Sequence, residues 1–215
     1  MVIFEEIIQS AIAQNKNILI IGSPRSGSHV LGSELAAIAR ANYLGEICCV
    51  SDREESWQEI NSLYNTKQLT VGQIVQLTPK IQLSKNLAPI KDHAVIVNIR
   101  RRDKIKQFAS WIYFRVMDPT EELGWHNHAK EKTSVGQHSI EAKESDILQF
   151  MLEQLIDDYF LPDFNLCYEN LTFSKFNKFK KNEFAFPLEE MFSNLDYVKK
   201  YLVDWDYHIN HFKNG

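Results

Sequence analysis

The chain has 215 residues, 44% of them hydrophobic and 12% aromatic, which describes a globular chain with one sizeable core and favours a single domain, 1–215. A formal charge of −4 and a pI near 6.0 argue against bulk affinity for nucleic acid, which needs a basic face. No apolar run approaches the roughly 20 residues of a membrane span, and the first residues carry Glu5 and Glu6 with no early Lys or Arg, so neither a span nor a signal peptide is expected.

The first segment, MVIFEEIIQSAIAQ, spaces Val2, Ile3, Ile7, Ile8, Ala11 and Ile12 as an amphipathic helix. Ile18 to Ile21 is a short β-branched run, the signature of a buried strand. Gly22, Ser23 and Pro24 break it, and from Ser28 the spacing turns helical, with Val30, Leu31, Leu35 and Ile38 on one face. Strand, tight loop and helix in this order leave the first helical N–H groups without intrahelical partners and aimed at one spot. The helix dipole adds positive potential there. Pro24, Arg25, Ser26, Gly27, Ser28 and His29 line the loop: Arg25 adds a charge, Ser26 and Ser28 add hydroxyls, and Gly27 admits a bulky anion to the backbone. A phosphate-type group is the natural occupant.

Tyr43 to Val50 is expected as a second strand carrying Glu46, and Ser51 to Tyr64 as a capped helix. Thr70 to Leu77 is ambiguous, with one short helix as the reading offered. Lys80 to Ser84 is expected as the third strand, ending at Lys85, and His93 to Ile99 as the fourth. Arg100 to Asp103 follow, then a helix to about Val116. The stretch 126–137 is polar and non-periodic, a loop. Ser145 to Phe160 is expected as an amphipathic helix, Asn165 to Tyr168 as a fifth strand and Leu195 to Leu202 as the last helix. Strands alternating with helices imply a largely parallel sheet of about five strands, with the ligand at the carboxyl ends of the strands. The fold class expected is therefore α/β, three-layered.

Three cysteines without a C-x-x-C spacing point to reduced thiols in the cytoplasm. The His126/His128 and His208/His211 pairs lack the cysteine or carboxylate company of a zinc site, so no metal site is expected.

The loop sequence PRSGS after an apolar strand resembles the 5′-phosphosulfate loop of the sulfotransferases that use 3′-phosphoadenosine 5′-phosphosulfate (PAPS), with His29 where that family usually has Thr. A second stretch, RRRDKIKQFASW, resembles their 3′-phosphate motif: Arg102 to Ser110 gives the spacing, with Arg101 one step off. Its form is most similar to the Stf0-type bacterial sulfotransferases, which sulfate trehalose and related acceptors. Gly45-Glu46, Trp125 and Cys167-Tyr168-Glu169-Asn170-Leu171 match further motifs of that family in order. A second Glu that those enzymes place three residues after Gly-Glu is Cys49 here. The resemblance implies a P-loop-type fold and transfer of a sulfuryl group from PAPS to a hydroxyl of a small-molecule or carbohydrate acceptor, leaving adenosine 3′,5′-bisphosphate (PAP).

In that scheme Arg25 and the loop amides neutralise the leaving phosphate, and Ser26 and Ser28 hold its oxygens. His29 donates to the phosphosulfate. Arg101 or Arg102, with Ser110, holds the 3′-phosphate, and Lys85 stabilises charge on the transferring group. Glu46 is the general base. The alternatives are a kinase-like phosphotransferase, which would need a Walker lysine and Mg²⁺ ligands, and a non-catalytic nucleotide-binding or interaction module.

Overall fold

The computed structural model describes residues 2–49, 68–75, 88, 90–117, 139–154, 161–173 and 187–203. The chain divides into two compact units, one made of Met1–Arg102 with Leu152–Asn182, the other of Asp103–Met151 with Glu183–Gly215.

The first unit is built on five parallel strands: β1 (Asn17–Gly22), β2 (Asn42–Cys49), β3 (Thr70–Val75), β4 (Ala94–Arg100) and β5 (Phe164–Cys167). Their order across the sheet is β2-β3-β1-β4-β5. Each neighbouring pair is parallel, and Gly22 at the end of β1 stands level with Val75 of β3 and Ile99 of β4. All six residues of β1 are buried, as a strand covered on both faces demands. The fold class is α/β, with an all-parallel sheet in a three-layer arrangement.

Helices α1 (Val2–Ala13) and α2 (Ser28–Ala39) cover one face. Phe4, Ile7, Ile8 and Ala11 of α1 and Leu31, Leu35 and Ala36 of α2 enclose Ile18 and Ile20 of β1, Val71 of β3 and Val95, Val97 and Ile99 of β4. Val2 and Ile12, expected on the buried stripe of α1, are exposed, because the stripe is centred on positions 4, 7, 8 and 11. The edges between elements are tied by side chains: the Asn17 amide oxygen accepts the Thr70 N–H at 2.8 Å, and Asp163 accepts the Ile96 N–H at 2.7 Å.

Thr70 to Val75 is a strand, which corrects the helical reading of that stretch. Its apolar positions follow no clean alternation because β3 is buried on both faces, with Val71 and Gly72 beside the buried polar Gln73. The strands expected at 43–50, 93–99 and 165–168 are present within one residue at each end. Ser51–Tyr64, Lys80–Ser84 and the 126–137 loop lie outside the described residues.

The second unit holds α3 (Lys104–Met117), α4 (Glu144–Glu153, whose last residues from Leu152 belong to the first unit), α5 (Leu188–Met191) and α6 (Leu195–Leu202). Its core is aromatic: Phe108 lies 5.8 Å from Trp111, 5.3 Å from Phe150 and 5.9 Å from Phe192 between ring centroids. Such ring pairs add about 0.5–1.5 kcal/mol each beyond area burial. Asn194 closes this unit by exchanging two hydrogen bonds with the Ala142 backbone.

Candidate functional site

The order of the strands places the site. From β1 the chain leaves through α2 toward β2 at one edge, whereas β5, next to β4, forms the opposite edge. Ligands of open parallel sheets bind outside the carboxyl ends of adjacent strands whose connections diverge in this way, here β1 and β4. The β1–α2 loop and the Arg100–Arg102 turn are the segments that emerge there.

The loop has a defined shape. Residues 23–26 form a turn closed by the Ser26 N–H on the Ser23 carbonyl, 3.2 Å. Arg25 sits in the left-handed region at φ 64, and Gly27, which precedes the first turn of α2, at φ 96. A Cβ on Gly27 would lie 2.3 Å from Cδ2 of Tyr168, so both the backbone conformation and the contact require glycine. A Cβ on Gly22 would lie 2.3 Å from Oγ of Ser26, so the loop folds its serine back over the strand end. Ser26 Oγ is fully buried and has no hydrogen-bond partner among the described residues. No side chain caps the start of α2, so its first-turn N–H groups face the loop. Ser23 donates from Oγ to Oε1 of Gln154 at 2.6 Å.

Arg25 and Arg101 stand close enough to repel. Burial first, and the Arg101 charge second, lower Arg25 from its ordinary value to about 10. Arg101 is fixed by packing: its guanidinium lies 5.3 Å from the Tyr168 ring centroid, and Nε is 3.9 Å from Oε1 of Glu169. The Glu169 carboxylate also accepts the Arg102 N–H at 2.9 and 3.0 Å, which turns the chain after β4. Tyr168 is backed by Phe173, and Phe173 by Phe4 of α1. The motif spacing falls on Arg102, with Arg101 one step off; the side chain beside Arg25 is Arg101, while Arg102 is exposed.

On the other flank of α2, the Tyr43 hydroxyl meets Nδ1 of His29 at 2.9 Å and donates to Oε1 of Gln73 at 3.2 Å and, more weakly placed, to the His29 carbonyl at 3.3 Å. Burial pushes Tyr43 up to about 12, with the Glu46 charge adding to it and a Ser33 hydrogen bond opposing. Neither Tyr43 nor Gln73 was singled out from sequence as part of the site. Tyr43 carries no motif, and Gln73 lies in the stretch whose strand was missed.

The remaining expected residues fall in different places. Pro24 and Ser28 are buried in the loop and the first helical residue, and His29 is exposed on the first turn. Glu46 lies in the body of β2, in register with Gln73 and so level with Ile20 of β1. Ser110 is buried on α3 in the second unit, and Lys85 lies outside the described residues. Among the described residues, no group of three or more His, Cys, Asp or Glu could hold a metal ion, and no helix is long and apolar enough to cross a membrane.

No protein-family model matches the chain, and neither a curated protein nor a solved structure matches it.

Proposed function

We propose that the protein is a cytoplasmic sulfotransferase of P-loop type that moves a sulfuryl group from PAPS to a hydroxyl of a small-molecule or carbohydrate acceptor and releases PAP. The observation that carries this reading is the pairing of Arg25 and Arg101 at the carboxyl ends of β1 and β4, beside an uncapped helix start. Two guanidiniums in mutual repulsion favour an anion that relieves it. A phosphate accepts bidentate hydrogen bonds from arginine and single bonds from backbone N–H groups, and the loop offers both. Ser26 Oγ, buried and without a partner among the described residues, fits the same group.

PAPS when bound supplies an activated sulfuryl group on a phosphate leaving group. Sulfuryl transfer, like phosphoryl transfer, asks the protein mainly to position the reactants and to stabilise charge. Arg25 and the N–H groups of Ser28 and His29 hold the leaving phosphate and take up its growing charge. Arg101, anchored on Tyr168, extends the positive surface toward the β4 end. The sequence motif assigns Arg101 or Arg102, with Ser110, to the 3′-phosphate and Lys85 to the transferring group.

Thermal shift with PAP, ATP–Mg²⁺ and GTP–Mg²⁺ tests the reading. A ligand of the folded state at about 100-fold excess over its Kd stabilises by roughly 2.7 kcal/mol. PAP is expected to raise the midpoint and the triphosphates to leave it near the unliganded value. A rise with ATP or GTP and none with PAP favours the phosphotransferase and overturns the proposal. A rise with PAP in a protein that transfers no sulfuryl group leaves only a binding module.

A further inference from the structure

We propose that His29, held by Tyr43, accepts the proton of the acceptor hydroxyl. This rests on the sulfotransferase reading above and deepens it by assigning the base, expected from sequence at Glu46; His29, expected from sequence to donate to the phosphosulfate, here takes the acceptor's proton instead.

The contacts of Tyr43 hold the His29 ring in place. Its hydroxyl has one proton and two carbonyl-type acceptors, Oε1 of Gln73 at 3.2 Å and the His29 carbonyl at 3.3 Å. In the proposed arrangement that proton goes to Gln73, and the hydroxyl oxygen, 2.9 Å from Nδ1 of His29, accepts Nδ1–H. A neutral imidazole protonated at Nδ1 presents a lone pair at Nε2. Tyr43 cannot easily shift: its ring fills the notch at Gly32, where a Cβ would come within 2.8 Å of Cε2. Burial keeps its hydroxyl protonated across the neutral range.

Position favours His29 over Glu46. His29 is exposed and stands on the first turn of α2, four residues after Arg25. Glu46 is two rungs of the sheet below the level of Gly22, roughly 7 Å along the strand, and its charge acts on Tyr43. Tyr43 touches His29 directly, and Glu46 of β2 acts electrostatically on Tyr43; Gln73 and Ser33, which also meet Tyr43, are neutral. In the transfer, the acceptor oxygen bonds to sulfur as its proton passes to Nε2 of His29. The bridging S–O bond breaks, and its electron pair leaves with the phosphate.

The test combines three readouts on wild type, His29→Gln and Tyr43→Phe. Calorimetry with PAP measures the donor site. Release of labelled sulfate from PAPS, with water as acceptor, is followed against pH. Ring-¹⁵N NMR reports the His29 tautomer. Expected for His29→Gln is PAP affinity within about threefold of wild type, sulfate release lowered roughly 10²-fold or more, and loss of the acid limb of the pH profile. Tyr43→Phe keeps the ring that fills the Gly32 notch. It is expected to replace the single Nδ1–H tautomer by a mixture and to lower release about tenfold; a merely structural Tyr43 would leave the tautomer unchanged. The proposal is overturned if His29→Gln keeps turnover or the acid limb while binding PAP, if wild type binds PAP but shows no acid limb, or if wild-type His29 is the Nε2–H tautomer. Absence of PAP binding in wild type instead defeats the sulfotransferase reading itself.

Discussion

The two flanks of the α2 start are built from different materials. On the β4/β5 flank, cations are held by aromatic packing: Arg101 lies over Tyr168, and Tyr168 packs on Gly27 and Phe173. On the β2/β3 flank, a hydrogen-bonded chain runs from Gln73 through Tyr43 to His29. One helix start thus faces fixed charge on one side and a movable proton on the other. The difference teaches that binding strength and proton handling are separable here, so substitutions on the two flanks should change different observables.

The largest effect should come from the contact that joins the charged flank to the loop. Gly27→Ala adds a Cβ 2.3 Å from the Tyr168 ring and forces alanine to φ 96. It is expected to destabilise by about 3 kcal/mol in urea unfolding. In a Tyr168→Ala background the clash is gone and only backbone strain remains, so the same change should cost about 1–2 kcal/mol. Equal costs in the two backgrounds would break the claim that Tyr168 locks the loop.

Arg25→Gln should act in two opposite directions. PAP binding is expected to weaken roughly 100-fold by calorimetry, the scale of a lost charge-assisted hydrogen bond. The unliganded protein should become more stable. Arg25 titrates lower when folded, near 10, than an ordinary arginine, so the unfolded chain binds the proton more tightly. The resulting penalty is fully present below about pH 10 and fades as pH rises above it. At pH 7 the substitution should therefore gain about 1 kcal/mol after screening, or roughly 2–4 °C in Tm, and less above pH 10. A loss of stability at pH 7 would contradict the mutual repulsion of the two arginines.

The smallest expected effect is that of Tyr168→Leu. It removes a cation–π contact of about 0.5–1 kcal/mol from Arg101, so PAP affinity should fall about three- to fivefold. The His29 tautomer and the acid limb should be untouched, which sharpens the separation of the flanks.

What sequence disclosed follows the range of the interactions concerned. β1 and β4 were legible because a strand buried on both faces is a nearly continuous apolar run, ended by Gly22 in β1 and by Arg100 in β4. The start of α2 at Ser28 was legible from the change of period after Gly27. β3 was not, since Val71 and Ile74 fit a helical spacing and Gln73 is polar. Its burial makes sense only with the Tyr43 hydroxyl, thirty residues away in sequence. The arginine beside the loop was legible only as a pair, because the choice of Arg101 is made by a turn that Glu169 closes from the segment just after β5. In sequence Tyr43 is only the first residue of the expected second strand. Its role resides in one hydroxyl whose partners come from α2 and β3, and no local pattern marks that.

The most direct measurement of the central claim is the calorimetric Kd of PAP against that of adenosine 5′-monophosphate, on wild type and on Arg101→Ala. The two ligands differ only in the 3′-phosphate. Expected is tighter binding of PAP by wild type, roughly tenfold or more at about 1.4 kcal/mol per decade, with the preference reduced in Arg101→Ala. Equal affinity for the two ligands, or a preference unchanged by Arg101→Ala, would contradict a PAPS site at the β1 and β4 ends.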